Sequence, residues 1–148
     1  MKNKKNIIFA LIIVIIIACL SIYFKPIKLS KTISENNTIM LLVTELGVKN
    51  GEPYIDTKDY KNITDKQKNN IIELFNNYSY TRTFTTHFSD GSISDNGDKI
   101  IYIYLYDSDK LIDYICISSS GNISVNDKTY KIKDATEFIN KIQQACES

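Results

Sequence analysis

The chain reads as an α+β protein, an N-terminal transmembrane helix followed by one small domain with a mainly antiparallel sheet of four to six strands and two helices. Three observations predict this class. The run Ile7–Phe24 is apolar and uncharged. Beyond it, short alternating segments are separated by Asp, Asn and Gly turn pairs at hairpin length, which favours antiparallel pairing. Two further stretches repeat apolar residues at i, i+3, i+4 and i+7, and two amphipathic helices of this kind must cover one face of the sheet.

The apolar run corresponds to about 27 Å of helix, just short of a hydrocarbon core of ~30 Å. Lys5 and Lys25 bracket it, and Tyr23 and Phe24 place rings at one end, where a membrane interface favours them. A core helix of a soluble domain would need some polar face, and this run has none. Residues 1–6 form a basic n-region, 7–24 a signal-anchor and 25–37 a polar tether. Residues 38–148 form the domain.

Two other fates of the run stay open. Ile16-Ile17-Ala18-Cys19 resembles a bacterial lipobox, which would make Cys19 a lipidation site, although Leu20, Ile22, Tyr23 and Phe24 continue the apolar run past it. Cleavage near Cys19-Leu20-Ser21 would instead make the run a signal peptide. The flanking charges do not settle orientation, because Lys2, Lys4 and Lys5 are matched by Lys25, Lys28 and Lys31. The adjacent n-region favours a cell-membrane protein with a cytoplasmic N-terminus and the domain outside.

Within the domain, Thr38–Val48 reads as a buried strand ending at Asn50-Gly51. Thr64–Tyr78 reads as a helix, with Thr64 and Gln67 at capping-box spacing and Ile71, Leu74, Phe75 and Tyr78 on its stripe. Tyr80–Phe88 alternates as a strand, with Thr81, Thr83, Thr85 and His87 on one side. Ser89–Lys99 carries the turn signals Asp90-Gly91 and Asn96-Gly97. Strands follow at Ile100–Tyr106 and Leu111–Ser118, and Gly121-Asn122 and Asn126-Asp127 punctuate two more. The last helix starts at Asp134, at capping-box spacing from Glu137, and buries Phe138, Ile139, Ile142, Ala145 and Cys146. This layout resembles that of small membrane- or lipid-anchored proteins of low-GC Gram-positive bacteria, and no motif ties it to a named family.

Ile, Lys and Asn make up more than a third of the residues, a bias expected of AT-rich bacterial coding sequence. The net charge of +1 conceals a division: residues 1–28 hold five lysines and no acid, leaving 13 basic and 17 acidic residues, a net of −4. Nucleic-acid binders rely on a basic face, so nucleic acid is an unexpected partner.

Chemistry-bearing motifs are sparse. Asp90–Asp113 contains six aspartates. An EF-hand counted from Asp90 would need glycine at the position held by Asp95 and glutamate at that of Ile101, so the calcium motif fails and turn aspartates remain. The threonine comb reads as a solvated β face. No metal or cofactor is implied. A nucleophile reading rests on Cys116 with the single histidine, His87, and lacks the strand–turn–helix setting of a nucleophile elbow. Cys116 and Cys146 read more plainly as two buried thiols than as a disulfide.

Tyr102, Tyr104 and Tyr106 are the most suggestive group. Alternation sets them opposite Ile101, Ile103 and Leu105, so helices covering the isoleucine face leave the tyrosines on an aromatic partner surface. The expected function is therefore non-catalytic binding of a protein or cell-envelope partner by a single-pass chain held in the bilayer through Ile7–Phe24. The alternatives are a Cys19-anchored lipoprotein, an immunity or inhibitor protein, and a Cys-dependent hydrolase.

Overall fold

The structure, a computed structural model of the chain, describes residues 2–29, 32–34, 36–87 and 99–148. Helix α1 (Lys2–Tyr23) is followed by β1 (Thr38–Lys49), β2 (Glu52–Tyr60), α2 (Asp65–Asn77), β3 (Tyr80–Thr81) and α3 (Phe84–His87). After them come β4 (Lys99–Asp107), β5 (Lys110–Ser118), β6 (Asn122–Val125), β7 (Lys128–Ile132) and α4 (Ala135–Glu147). The α+β class stands, but among the described residues the sheet has seven strands where four to six are expected. Its order is β2-β1-β4-β5-β6-β7-β3, every pairing antiparallel.

The added strand is β2, and β3 is far shorter than the strand expected there. β2 (EPYIDTKDY) is exposed along nearly its whole length, so it lacks the apolar alternation of a half-buried strand. Its cue is the turn: Asn50 and Gly51 both have positive φ, 56° and 84°, and join Lys49 to its partner Glu52 as a two-residue hairpin loop. β3 is what remains of the strand expected over Tyr80–Phe88. It pairs with β7 only through Tyr80–Ile132 and Thr81–Lys131, and α3 then begins. The Thr83 hydroxyl accepts from the Thr86 N–H at 3.1 Å and the Thr86 hydroxyl from the Thr83 N–H at 2.7 Å. These local bonds compete with a sheet ladder and turn the chain, so the threonine comb does not form.

One face of the sheet carries the core. Ile39, Leu41, Val43, Ile101, Ile103, Leu105, Ile115, Ile117, Ile123 and Val125 pack under α2 and α4 with Ile71, Phe75, Phe138, Ile139 and Ile142. Phe138 sits at the aromatic centre, with ring centroids 4.5 Å from Tyr78 and 5.3 Å from Phe75. Tyr80 is fully buried and donates its hydroxyl to the Phe75 carbonyl at 3.1 Å, and burial pushes its ionisation well above the usual range.

The helices are capped unequally. At α2 the Thr64 side chain accepts from the Gln67 N–H at 3.3 Å while the Gln67 side chain accepts from the Thr64 N–H at 2.9 Å, the expected capping box. Gln67 also donates to the Cys146 carbonyl at 2.7 Å, joining the start of α2 to the end of α4. Asp134 does not cap α4. Its φ of 55° lies in the left-handed region, whereas a side-chain cap needs extended backbone to reach back to the third residue.

The stretch 25–37, expected to be a polar tether, is docked along much of its described length. Ile27 exchanges both backbone hydrogen bonds with Tyr80, at 2.8 and 3.0 Å, on the free edge of β3. Lys28 donates to the Asn77 and Tyr78 carbonyls at the C-terminal end of α2, and Ile33 is buried in the core. Ile27 and Leu29 fill the positions that make this possible, since both pack against the core cluster.

Candidate functional site

Register places the tyrosine row as the alternation predicts. Ile101, Ile103 and Leu105 are buried under the helices, and Tyr102, Tyr104 and Tyr106 project from the opposite face, half-buried. Their cross-strand neighbours on that face are Leu42, Met40 and Thr38 of β1, and Cys116 and Tyr114 of β5. The Tyr102 and Tyr104 rings are stacked 6.2 Å apart with planes 16° from parallel. Tyr114, absent from the expected row, extends it sideways and is 46 % exposed.

The β4–β5 end of this face is enlarged by a register shift. Leu105 pairs with Asp113 and Tyr106 with Leu111, so Ile112 is the extra residue of a β-bulge. Leu111 and Ile112 are both about half exposed. Partial burial raises the ionisation of Tyr104, so its hydroxyl stays a neutral donor and acceptor through the physiological range. Stacked aromatics, exposed apolar residues and phenol hydroxyls together suit recognition of a half-apolar surface.

The accessible part of the face is narrower than the tyrosine pattern alone implies. Cys116, Ser118, Ser124 and Thr129 lie on the same side and are buried. The open region therefore runs across β1, β4 and the start of β5. A second exposed apolar group, Val48 and Ile55, stands on the β1–β2 hairpin, each 72 % exposed.

The remaining candidates separate. Cys116 is buried opposite Tyr102 on the tyrosine face, while Cys146 packs into the core beneath the helices, so the sheet lies between them. A bridge would have to cross it, and neither cysteine is in a disulfide. Burial pushes the Cys146 thiol up to about 12. Among the described residues no group of three or more His, Cys, Asp or Glu side chains is placed to hold a metal ion. The calcium reading of Asp90–Asp113 falls largely on residues 90–98, outside the described residues; Asp107 and Asp109 flank the exposed β4–β5 turn. The hollows along α4, lined by residues such as Asn140, Lys141 and Gln144, are open surface depressions.

Helix α1 holds one apolar stretch, Asn6–Tyr23, long enough to cross a membrane and with no part of it buried by the domain. Cys19 is exposed within it. The Ser21 hydroxyl donates to the Ile17 carbonyl at 2.8 Å, so this polar group is satisfied inside the helix. No protein-family model, curated protein or solved structure matches the chain.

Proposed function

We propose that the chain is a non-catalytic binding protein held in the cell membrane by Ile7–Phe24 as an uncleaved signal-anchor, with its domain outside the cytoplasm. It engages a protein or envelope partner through Tyr102, Tyr104 and Tyr106, widened by Tyr114. The observation that carries this reading is the stacked Tyr102–Tyr104 pair on the sheet face turned away from both packed helices. Aromatic side chains with polar tips give large contact area at low conformational cost, which suits them to such surfaces. Retention of the whole run is supported by the helix continuing unbroken past Cys19 to Tyr23, with Ser21 satisfied internally, as a hydrocarbon environment requires.

The test has two parts. Intact mass of the protein extracted from host membranes is expected near the full 17.0 kDa; a chain beginning at Cys19 with added acyl mass would make it a lipoprotein instead. A photo-crosslinking residue at Tyr104 is expected to capture one discrete partner in intact cells, with capture lost on changing Tyr114 to Ser. Equal capture from Tyr104 and from Lys128 would remove the tyrosine face from consideration.

A further inference from the structure

We propose that Phe84 is a second point of membrane contact, seated at the acyl–headgroup boundary beside the end of α1. The inference rests on α1 crossing the bilayer, and deepens that reading by naming lipid as the partner of a domain residue.

Phe84 opens α3 and is 64 % exposed. Its ring nevertheless meets one neighbour edge-on, Phe24, with centroids 4.9 Å apart. Phe24 directly follows the last residue of α1, and its ring also stands perpendicular to that of Tyr23 at 5.1 Å. The three rings form a continuous aromatic group that begins on the helix and ends on the domain.

Depth follows from this contact. If Ile7–Phe24 fills the hydrocarbon layer, Phe24 lies at its edge, where aromatic rings concentrate. A ring in van der Waals contact with Phe24 lies at nearly the same depth. Phe84 is held there from the domain side, because α3 is fixed by the reciprocal Thr83–Thr86 bonds. Arg82 fastens the same region: its guanidinium lies 5.4 Å from the Tyr23 ring and 5.7 Å from the Tyr130 ring of β7. Exposed Lys25 adds a cation beside the group, suited to lipid phosphates. The ring that is unfavourably exposed in water is thus the one the helix carries to an apolar boundary.

The chain contains no tryptophan, so each introduced one reports alone. Full-length Phe84→Trp, Ile15→Trp and Ile55→Trp proteins would be reconstituted in phosphatidylcholine–phosphatidylglycerol vesicles. Their emission would be read with lipids brominated near the carbonyl or near the chain end. Phe84→Trp is expected to lose intensity to the shallow bromines, Ile15→Trp to the deep ones, and Ile55→Trp to neither. Quenching at Ile15→Trp without any at Phe84→Trp overturns the lipid contact and leaves the anchor standing. No deep quenching at Ile15→Trp removes the anchor, and the inference with it. Should Phe84→Trp misfold, exposed Thr85→Trp gives the same readout, and its quenching at the Ile55 level would equally overturn the contact.

Discussion

Lys58 and Glu147 join the outermost strand to the end of the chain: the β2 ammonium meets the α4 carboxylate at 2.5 Å, and the Tyr60 hydroxyl donates to the same oxygen at 2.8 Å. Among the described residues the strand that pairs with β2 is β1, and β2 lies at the far edge of the sheet from β3. Lys58 and Tyr60 hold the Glu147 carboxyl below its usual range, and Glu147 with Tyr60 raises Lys58.

The first expected outcome concerns that pairing. A lowered carboxylate contributes above its unfolded value of 4.5 and is lost as pH falls through its folded value. The raised ammonium contributes below 10.5 and is lost as pH rises through its folded value. Glu147→Gln should therefore speed amide exchange in β2 at neutral pH. It should also abolish the extra acid-induced exchange expected of the native protein there. Both partners are exposed, so unfolding midpoints should hardly move.

Two glycines should respond differently to the same methyl group. A Cβ on Gly47 would run into the outer atoms of the Tyr54 ring, which is 38 % exposed and free to swing outward. Gly47→Ala should cost less than about 1 kcal/mol. Gly51→Ala meets no atoms, yet its φ of 84° should make it cost about 1–2 kcal/mol. Urea midpoints of the solubilised full chain decide the order.

Phe138→Ala removes the ring shared by Phe75, Tyr78 and Tyr80 from a fully buried position. A loss of about 3–5 kcal/mol is expected, from transfer and residual cavity together. Phe138→Leu should recover a large part of it. A loss under 1 kcal/mol would mean that α4 is not the lid of the core.

Thiol chemistry checks the burial of Cys146. Burial disfavours the thiolate, so maleimide labelling should be negligible at neutral pH and climb about tenfold per pH unit towards 12. The neutral thiol stabilises the fold below its unfolded value of 9.0, and that contribution fades as pH rises through the folded value. Rapid labelling of Cys146 at pH 7 in the folded chain would contradict the packing.

Legibility in the sequence followed the hydrophobic pattern. β1, β4, β5, α2 and α4 were readable because each buries one face, and Tyr102, Tyr104 and Tyr106 could be placed from alternation alone. β2 was not, because an edge strand with two wet faces has no apolar period, and only Asn50-Gly51 marks it. The strand expected over Tyr80–Phe88 failed because side-chain bonds of Thr83 and Thr86 overrode alternation. Tyr114 joins the row through cross-strand register with Tyr104, a relation that spacing within one strand does not contain. Likewise Ile27 and Ile33 carried too short a pattern to distinguish docking from a loose polar connection.

The Ile27–Tyr80 bridge leaves only Lys25 and Pro26 between the end of the apolar stretch and a residue already bonded to the sheet. That leash spans about 7 Å at full extension, and the ring of Pro26 stiffens it. If α1 spans a bilayer as proposed, a domain so mounted turns with its helix and keeps one compass bearing towards the lipid plane. Orientational freedom would then be surrendered once, at folding, and the proposed envelope partner would meet a domain already oriented.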